Sequence, residues 1–280
     1  FVEQYSSNVS MLAQQMGSRL RSAVDVETVR GKHAFFDQIG VTAAQVRSTR
    51  HGSTPQINTP HSRRRVGLAD YEWADLVDDL DKVRMLVDPT SSYAKAAAAA
   101  MNRSIDDVII AAIGGQAQTG VSGGTNQLLP SASKFATSAQ SDGMTIAKLL
   151  AAKHFLDAGD VDPSLKRYIV CGAKQIQDLL GTTSVTSADF NTVKALASGQ
   201  VDSFLGFQFI MSNRLALANT DDRLCYAFTE DAVKLAIGAD VKAKISERDD
   251  KSYATQVYYS MALGAVRMEE EKVFEIPCDE

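Results

Sequence analysis

Residues 88–115, DPTSSYAKAAAAAMNRSIDDVIIAAIGG, set the frame for the rest of the chain. Asp88 offers a capping oxygen, and Pro89 has its φ pre-set for a first helical turn. Tyr93, Ala97, Met101, Ile105, Ile109 and Ile113 then recur every four residues before Gly114-Gly115 ends the run. The pattern predicts one helix over 89–115, about 38 Å long at roughly 1.5 Å per residue, enough to cross a whole domain. The alanine run at 96–100 suits close packing against a sheet.

Upstream, Leu76, Leu80, Val83 and Val87 predict a short helix over 75–88, with Asp75, Asp78, Asp79 and Asp81 on its other face. Adjacent Asp78 and Asp79 would point about 100° apart on a helix, so a solvated or salt-bridging face fits better than a catalytic carboxylate pair. Arg63, Arg64 and Arg65 lie just before, and arginine forks match carboxylates. These arginines are expected to pair with acids such as Asp78, Asp79 and Asp81, within or between subunits. Segment 41–67 is rich in Thr, Ser, Gln and Arg and is interrupted by Pro55 and Pro60. It reads as two strands of a long hairpin turning at Gly52-Ser53-Thr54-Pro55. Such a stretch is either functional or disordered, and strands completed by another chain would satisfy the same facts. At the start, Tyr5, Val9, Leu12, Met16 and Leu20 predict an amphipathic helix within 2–24, packed on its own domain or laid as an arm on a neighbour.

Downstream, 116–142 reads as a Gly/Ser/Thr/Gln-rich linker between structural units. Beyond it come a helix over 145–157, a buried strand over 168–171, a helix over 173–180 closed by Gly181, and an apolar strand over 204–211 broken by Gly206. The end is β-rich: Val233, Leu235 and Ile237 alternate, as do Val241, Ala243 and Ile245, and then residues 255–263, with Asp249-Asp250-Lys251-Ser252 as a turn.

The 280 residues carry 29 Lys+Arg against 34 Asp+Glu, a net charge of −5 that disfavours nucleic acid as a main ligand. With 45% hydrophobic residues the chain is expected to fold as one or two domains. Its longest weakly polar run, 94–101, falls far short of the roughly 20 apolar residues that span a bilayer. Cys171, Cys225 and Cys278 are an odd number without C-x-x-C spacing, so neither a disulfide framework nor a zinc site is expected, and a reducing compartment is the default. The first residues, Phe1-Val2-Glu3-Gln4, lack the features of a signal peptide.

Candidate chemistry is thin. Gly120-Val121-Ser122-Gly123-Gly124 matches G-x-S-x-G, but a nucleophile elbow needs a strand before it and a helix after it. A helix and a polar linker flank this one, and His154 is the only downstream histidine. Ser131-Ala132-Ser133-Lys134 matches S-x-x-K and Ser141-Asp142-Gly143 loosely resembles S-D-N, yet no K-T-G follows. No phosphate loop or dinucleotide turn occurs, and His33, His51, His61 and His154 are not in metal-ligand spacing. No catalytic residue, cofactor or metal is expected, and a serine hydrolase at Ser122 or Ser131 is the rival from another class.

Read together with their wording, TRHGSTPQINTP (49–60), the run from Asp70 to Gly115, FLGFQFIMSNRL (204–215) and ISERDDKSYATQVYYSMALGAVRMEEEKVFEI (245–276) resemble the major capsid proteins of tailed bacteriophages. The resemblance implies an α+β chain of the Hong Kong 97 fold. It implies an N-terminal arm (1–40), an extended loop (41–67), a peripheral domain with a spine helix (68–143), an axial domain (144–224) and return strands of the peripheral domain (225–280). The implied function is structural and non-catalytic. Copies would assemble as pentamers and hexamers into an icosahedral shell around double-stranded DNA, without sequence-specific binding and without a membrane. Scaffold, portal and decoration proteins would be partners, and the virion, assembled in the host cytoplasm, the location. An encapsulin would share the fold and enclose enzyme cargo. Some shells of this family carry lysine–asparagine isopeptide bonds, but 41–67 holds no lysine and Lys32 lies outside it, so no such crosslink is expected. The candidate inter-subunit contacts are Arg63, Arg64, Arg65, Asp78, Asp79 and Asp81.

Overall fold

A computed structural model describes residues 14–47, 49–54, 56–78, 90–135, 142–181, 203–218 and 221–280. The helix anticipated from the four-residue apolar repeat is present as α1, Thr90–Gly114. Ala97, Met101, Ile105, Ile109 and Ile113 are all buried, so one face of α1 belongs wholly to the core. That face lies across a sheet of order β1-β11-β12-β4, made of Asp25–Thr28, Val233–Arg248, Ala254–Arg267 and Ala69–Val77. The alternation read in 233–245 and 255–263 belongs to β11 and β12, the two long central strands of this sheet. Tyr71, Trp73, Tyr259 and Met261 share the parity that points toward the core beneath α1.

A second sheet, β13-β10-β7-β9-β8, carries the α/β portion. Its middle strand β7, Arg167–Cys171, is buried along its whole length. Helix α2, Ile146–Ala158, packs on β13 (Val273–Asp279), and the Oγ1 of Thr145 caps α2 by accepting from the Lys148 N–H. Helix α3 spans Ala173–Gly181. Gly206 does more than break a strand: Leu205 and Gly206 both have positive φ and turn β8 (Ser203–Phe204) tightly into β9 (Phe207–Met211). β10, Asp222–Thr229, pairs with β7 and β13 and joins this sheet to α1 through one continuous core. Gly114 sits where a Cβ would lie 2.2 Å from the Tyr226 hydroxyl, so the end of α1 can press on β10 only as glycine.

Four expectations are corrected. Residues 14–20 are not helical, and only Arg21–Ala23 forms a short 3-10 turn; residues 1–13 lie outside the described part. The missing helix is replaced by side-chain anchoring. The buried carboxylate of Asp106 on α1 accepts from the Gln15 amide, the Ser18 hydroxyl at 2.6 Å and the Arg19 and Leu20 backbone N–H groups at 3.1 Å. Arg103 donates to Gln14 and Gln15, and Asn102 to the Met16 carbonyl. A chain whose N–H groups are already taken by one carboxylate cannot use them for a helix. Second, the hairpin strands are β2, His33–Ile39, and β3, His61–Gly67; the described part of 41–60 between them forms no strand. Third, residues 75–77 end β4 rather than beginning a helix, because Thr255, Gln256 and Val257 of β12 extend the ladder over them; 79–88 lie outside the described residues. Fourth, 116–142 is not a plain linker: β5 (Ala117–Thr119) and β6 (Thr125–Gln127) form a hairpin that joins β2 and β3 in a third sheet, β2-β3-β5-β6.

The three cysteines, distant in sequence, are free, buried and carried by adjacent strands of the second sheet. Cys278 donates from Sγ to the Ile276 carbonyl at 3.8 Å, and burial pushes the Cys171 thiol up to about 12. Two predictions follow from these anchors. Asp106→Ala strands several donors and should lower unfolding free energy by about 1–3 kcal/mol in a urea titration. Ellman's reagent at pH 8 should leave the thiols unlabelled in the folded chain and label all of them after denaturation, since all three are buried and burial also holds Cys171 in its thiol form.

Candidate functional site

The β2–β3 hairpin and the loop it carries form the most exposed apolar feature of the described chain. The two strands pair in register from His33 opposite Gly67 to Ile39 opposite His61, and the Gly40 N–H donates to the Pro60 carbonyl where the loop departs. Period-two alternation divides the arginines: Arg63 and Arg65 face outward and Arg64 inward. On the outer face Arg63 lies opposite Asp37, donates to its carboxylate at 2.5 Å and sits 5.5 Å over the Phe35 ring. This hydrogen bond to Arg63 holds the Asp37 carboxyl below the usual carboxylate range. Arg65 meets the His33 ring at 2.9 Å, and its stem covers Gly123, where a Cβ would come within 2.3 Å. Burial first, and then the Arg65 and Lys32 charges, lower the His33 pKa.

The inner arginine builds the root of the hairpin. Arg64 donates from Nε to the Met268 carbonyl at 2.8 Å and from Nη2 to Glu270 Oε2 at 2.6 Å. On the other side of Glu270 stands Arg267, fully buried, with Nε 3.5 Å from Oε1. Arg267 also donates to the carbonyls of Ile113 and Gly115 at 2.8 and 2.7 Å and to that of Gln127 at 3.0 Å. One guanidinium thus caps the carboxyl end of α1, where the carbonyls lack helical partners and the helix dipole is negative. Burial pulls the Arg267 pKa below the usual arginine range, and the Glu270 charge acts against that shift.

Beside this root an open groove of about 740 Å³ runs between residues 38–41 and the end of α2. Ile39, Pro130, Phe155 and Ala158 supply apolar wall, and Glu269 and Glu271 line its rim. The loop itself exposes Val41 at 98% and Val46 at 95%, values that describe side chains left uncovered by the described residues.

Of the acids expected to pair with the arginines, only Asp78 lies among the described residues. Asp78 follows the end of β4, and nine residues of strand, about 30 Å at roughly 3.4 Å each, separate it from the β3 side. Asp79 and Asp81 lie outside the described residues. Asp37, Glu270, Met268 and Arg267 were missed. A legible signal existed for Arg267, which has the odd parity of Val257, Met261 and Leu263 and therefore points inward. The serine candidates find no catalytic setting. Ser122 lies in the turn between β5 and β6; Ser131 opens the 3-10 turn Ser131–Ser133; Ser133 donates to the Glu270 carbonyl; and Lys134 pairs with Glu275 at 3.0 Å. Among the described residues no group of His, Cys, Asp and Glu side chains is placed to hold a metal ion.

The family model described as phage capsid protein matches residues 1–280. The fold is similar to that in the capsid of Cyanophage P-SCSP1u, with 18% identity, a TM-score of 0.78, and coverage of 100% of this chain and 93% of that one. It is also similar to that of Mycobacterium phage Che8, at 19% identity and a TM-score of 0.72 over 99% of this chain and 96% of that one. The capsid of a native GTA particle matches at 12% identity and a TM-score of 0.71 over 100% and 96%. No curated protein matches the sequence.

Glu270→Gln leaves Arg64 and Arg267 buried side by side without their carboxylate. It should cost about 3–5 kcal/mol by chemical denaturation, as expected for breaking a buried ion network. Arg63→Ala, at the exposed face, should leave the midpoint unchanged.

Proposed function

The chain belongs to the phage capsid protein family, and we propose that it is the major capsid protein of a tailed phage, assembling as pentamers and hexamers into the icosahedral shell around a double-stranded DNA genome. The fold is α+β, of the Hong Kong 97 type. Within it, α1 acts as the spine helix of the peripheral domain, 144–224 as the axial domain, and 225–280 as the return strands of the peripheral domain. Residues 1–40 serve as the arm, with β2 committed to the root of the extended loop.

The observation that carries this reading is the loop over 41–60: it projects from a stable root, forms no strand in its described part and presents bare apolar side chains. Burying Val41 and Val46 on a neighbour would return roughly 1.5–3 kcal/mol for each side chain, repeated at every copy of a closed shell. The role is structural and non-catalytic. Arg63 and Arg65, on the outer face of the hairpin, would contact acids of a neighbour such as Asp78, Asp79 and Asp81. The body's negative charge suits a wall that contains DNA without clamping it, since tight binding takes many Lys and Arg contacts to phosphate. Scaffold, portal and decoration proteins complete the head, which is assembled in the host cytoplasm.

Expression followed by negative-stain electron microscopy, with scaffold supplied where closure needs it, should give closed shells. Particles isolated from infected cells should hold nuclease-protected DNA; enzyme cargo in its place would mark an encapsulin. Because 41–67 has no lysine, a denaturing gel should show one band at 30.2 kDa with no covalent ladder.

A further inference from the structure

The three cysteines have no motif spacing in the chain, and the second sheet brings them together. Cys171 ends β7, Cys225 lies on β10 and Cys278 on β13, adjacent strands in the order β13-β10-β7. Cys225 stands opposite Ile276 and Cys278 opposite Arg223, so Cys225 and Cys278 are diagonal neighbours on one face. One rung beyond the pair of Tyr226 and Val170, Cys171 falls opposite Cys225 on that same face. All three are free and at most 1% exposed. A lone buried cysteine is a small apolar side chain, whereas a row of three across a sheet places thiols within reach of one another.

Their surroundings separate their roles. Lys148 on α2 is buried, and its Nζ donates at 2.9 Å to the carbonyl of Pro277, next to Cys278, and at 2.5 Å to that of Asp142. Cys278 rests as a thiol against the Ile276 carbonyl. The Cys225 thiol lowers the Cys278 pKa, burial opposes that shift, and the Lys148 charge adds to the lowering. Cys225 is raised in return, by Cys278 and then by burial, and burial holds Cys171 in its thiol form. Cys278 is thus the best nucleophile of the three. It is also near the end of its ladder: only the pair of Asp222 and Asp279 lies beyond it, and Glu280 is exposed.

We propose that Cys278 and Cys225 form an oxidation site, at which hydrogen peroxide converts the two thiols into a disulfide that ties β13 to β10. The Cys278 thiolate sulfur attacks one peroxide oxygen, the O–O bond breaks, and the departing hydroxide takes up a proton to become water. Cys278 is then a sulfenic acid, oxidised by two electrons, and the peroxide is reduced by two. The Cys225 sulfur attacks that of Cys278, the S–S bond forms as the S–O bond breaks, and the Cys225 proton leaves with the hydroxyl as a second water. Two thiols and one peroxide give one disulfide and two waters. Diagonal neighbours have Cα atoms about 7–8 Å apart, at the upper end of what a disulfide spans, so closure draws the end of β13 toward β10. The bond closes a loop of about 50 residues and so restricts the unfolded chain. Hydrogen peroxide is little larger than water and reaches a site that a bulky aromatic reagent does not. In a reducing compartment the pair stays as thiols, and the bond forms where peroxide outruns the reductant. The site does not depend on the shell reading.

The test is treatment of the folded full chain with hydrogen peroxide under native conditions. The intact mass should fall by about 2 Da, the two hydrogens lost, and digestion without reductant should give peptides joined through Cys225 and Cys278. The urea midpoint should rise on oxidation and return with dithiothreitol. Cys225→Ala should leave Cys278 as a sulfenic acid that dimedone traps. Cys278→Ala should abolish both the bond and the dimedone label, and Cys171→Ala should still form the bond. Circular dichroism before oxidation checks that each variant is folded, and the mass and peptide map of the parent chain decide the question where a variant does not fold. An unchanged mass, added oxygen without a bridge, a bridge through Cys171, or crosslinked multimers on a non-reducing gel would each overturn the proposal. So would a bridge that forms only after urea has unfolded the chain.

Discussion

A single carboxylate shared by two buried guanidiniums sets the geometry on which the exposed parts of this chain depend. Glu270 stands between Arg64 at the hairpin root and Arg267 at the end of the long β12 strand. Arg267 in turn holds the last carbonyls of α1 and that of Gln127 on β6. Strand β3, strand β12, the end of α1 and β6 meet at these side chains. Bringing such charges out of water is expensive, and apolar residues of the same volume could pack as tightly. What apolar packing lacks is direction. Each guanidinium fork accepts partners only in its plane, so strand, helix end and hairpin are held at fixed angles as well as in contact.

At its middle, α1 is fastened differently. Asp106 gathers the backbone of residues 19–20 and the side chains of Gln15 and Ser18, while the neighbouring Asp107 makes a two-point pair with Arg214 of the second sheet's flank at 2.5 Å. Two consecutive acids, about 100° apart on the helix, therefore serve the arm on one side and the α/β portion on the other. Arg19 adds a link from the arm to the Met211 carbonyl, so the three parts close on one another around a rigid helical rod.

What could be read without the structure was whatever local periodicity dictates. The four-residue repeat of α1, the alternation of β11 and β12, and the helix read over 145–157 are each decided within their own residues, and all are present. The misreadings occur where a distant partner overrules the local pattern. Leu76 opens the helix-like spacing of Leu76, Leu80, Val83 and Val87 but is captured, with Val77, by Gln256 and Thr255 of β12. Met16 and Leu20 have the spacing of a helix face, yet Asp106 takes the N–H groups a helix would need. The polar segment after α1 looks like a linker until β3 pairs Arg64 and Arg65 with Thr119 and Gln118. At the site, the basic run was visible and its partners were not, because Asp37 lies 26 positions from Arg63 and Glu270 lies 206 from Arg64.

The division of charge bears on how such a chain can be both a subunit and a wall. A body at −11 repels copies of itself, which keeps free subunits apart until a specific contact forms. Residues 30–67 hold seven of the 29 Lys+Arg and one of the 34 Asp+Glu, a net of +6 against −11 for the remainder, so a contact between that segment and the rest of another copy is attractive where body against body is repulsive. Had the same seven cations been spread over the fold, the net charge would be unchanged, yet subunits would attract one another in many orientations and would also bind phosphate. Segregation, rather than net charge, is what sets one basic segment against an acidic remainder within this weakly acidic sequence.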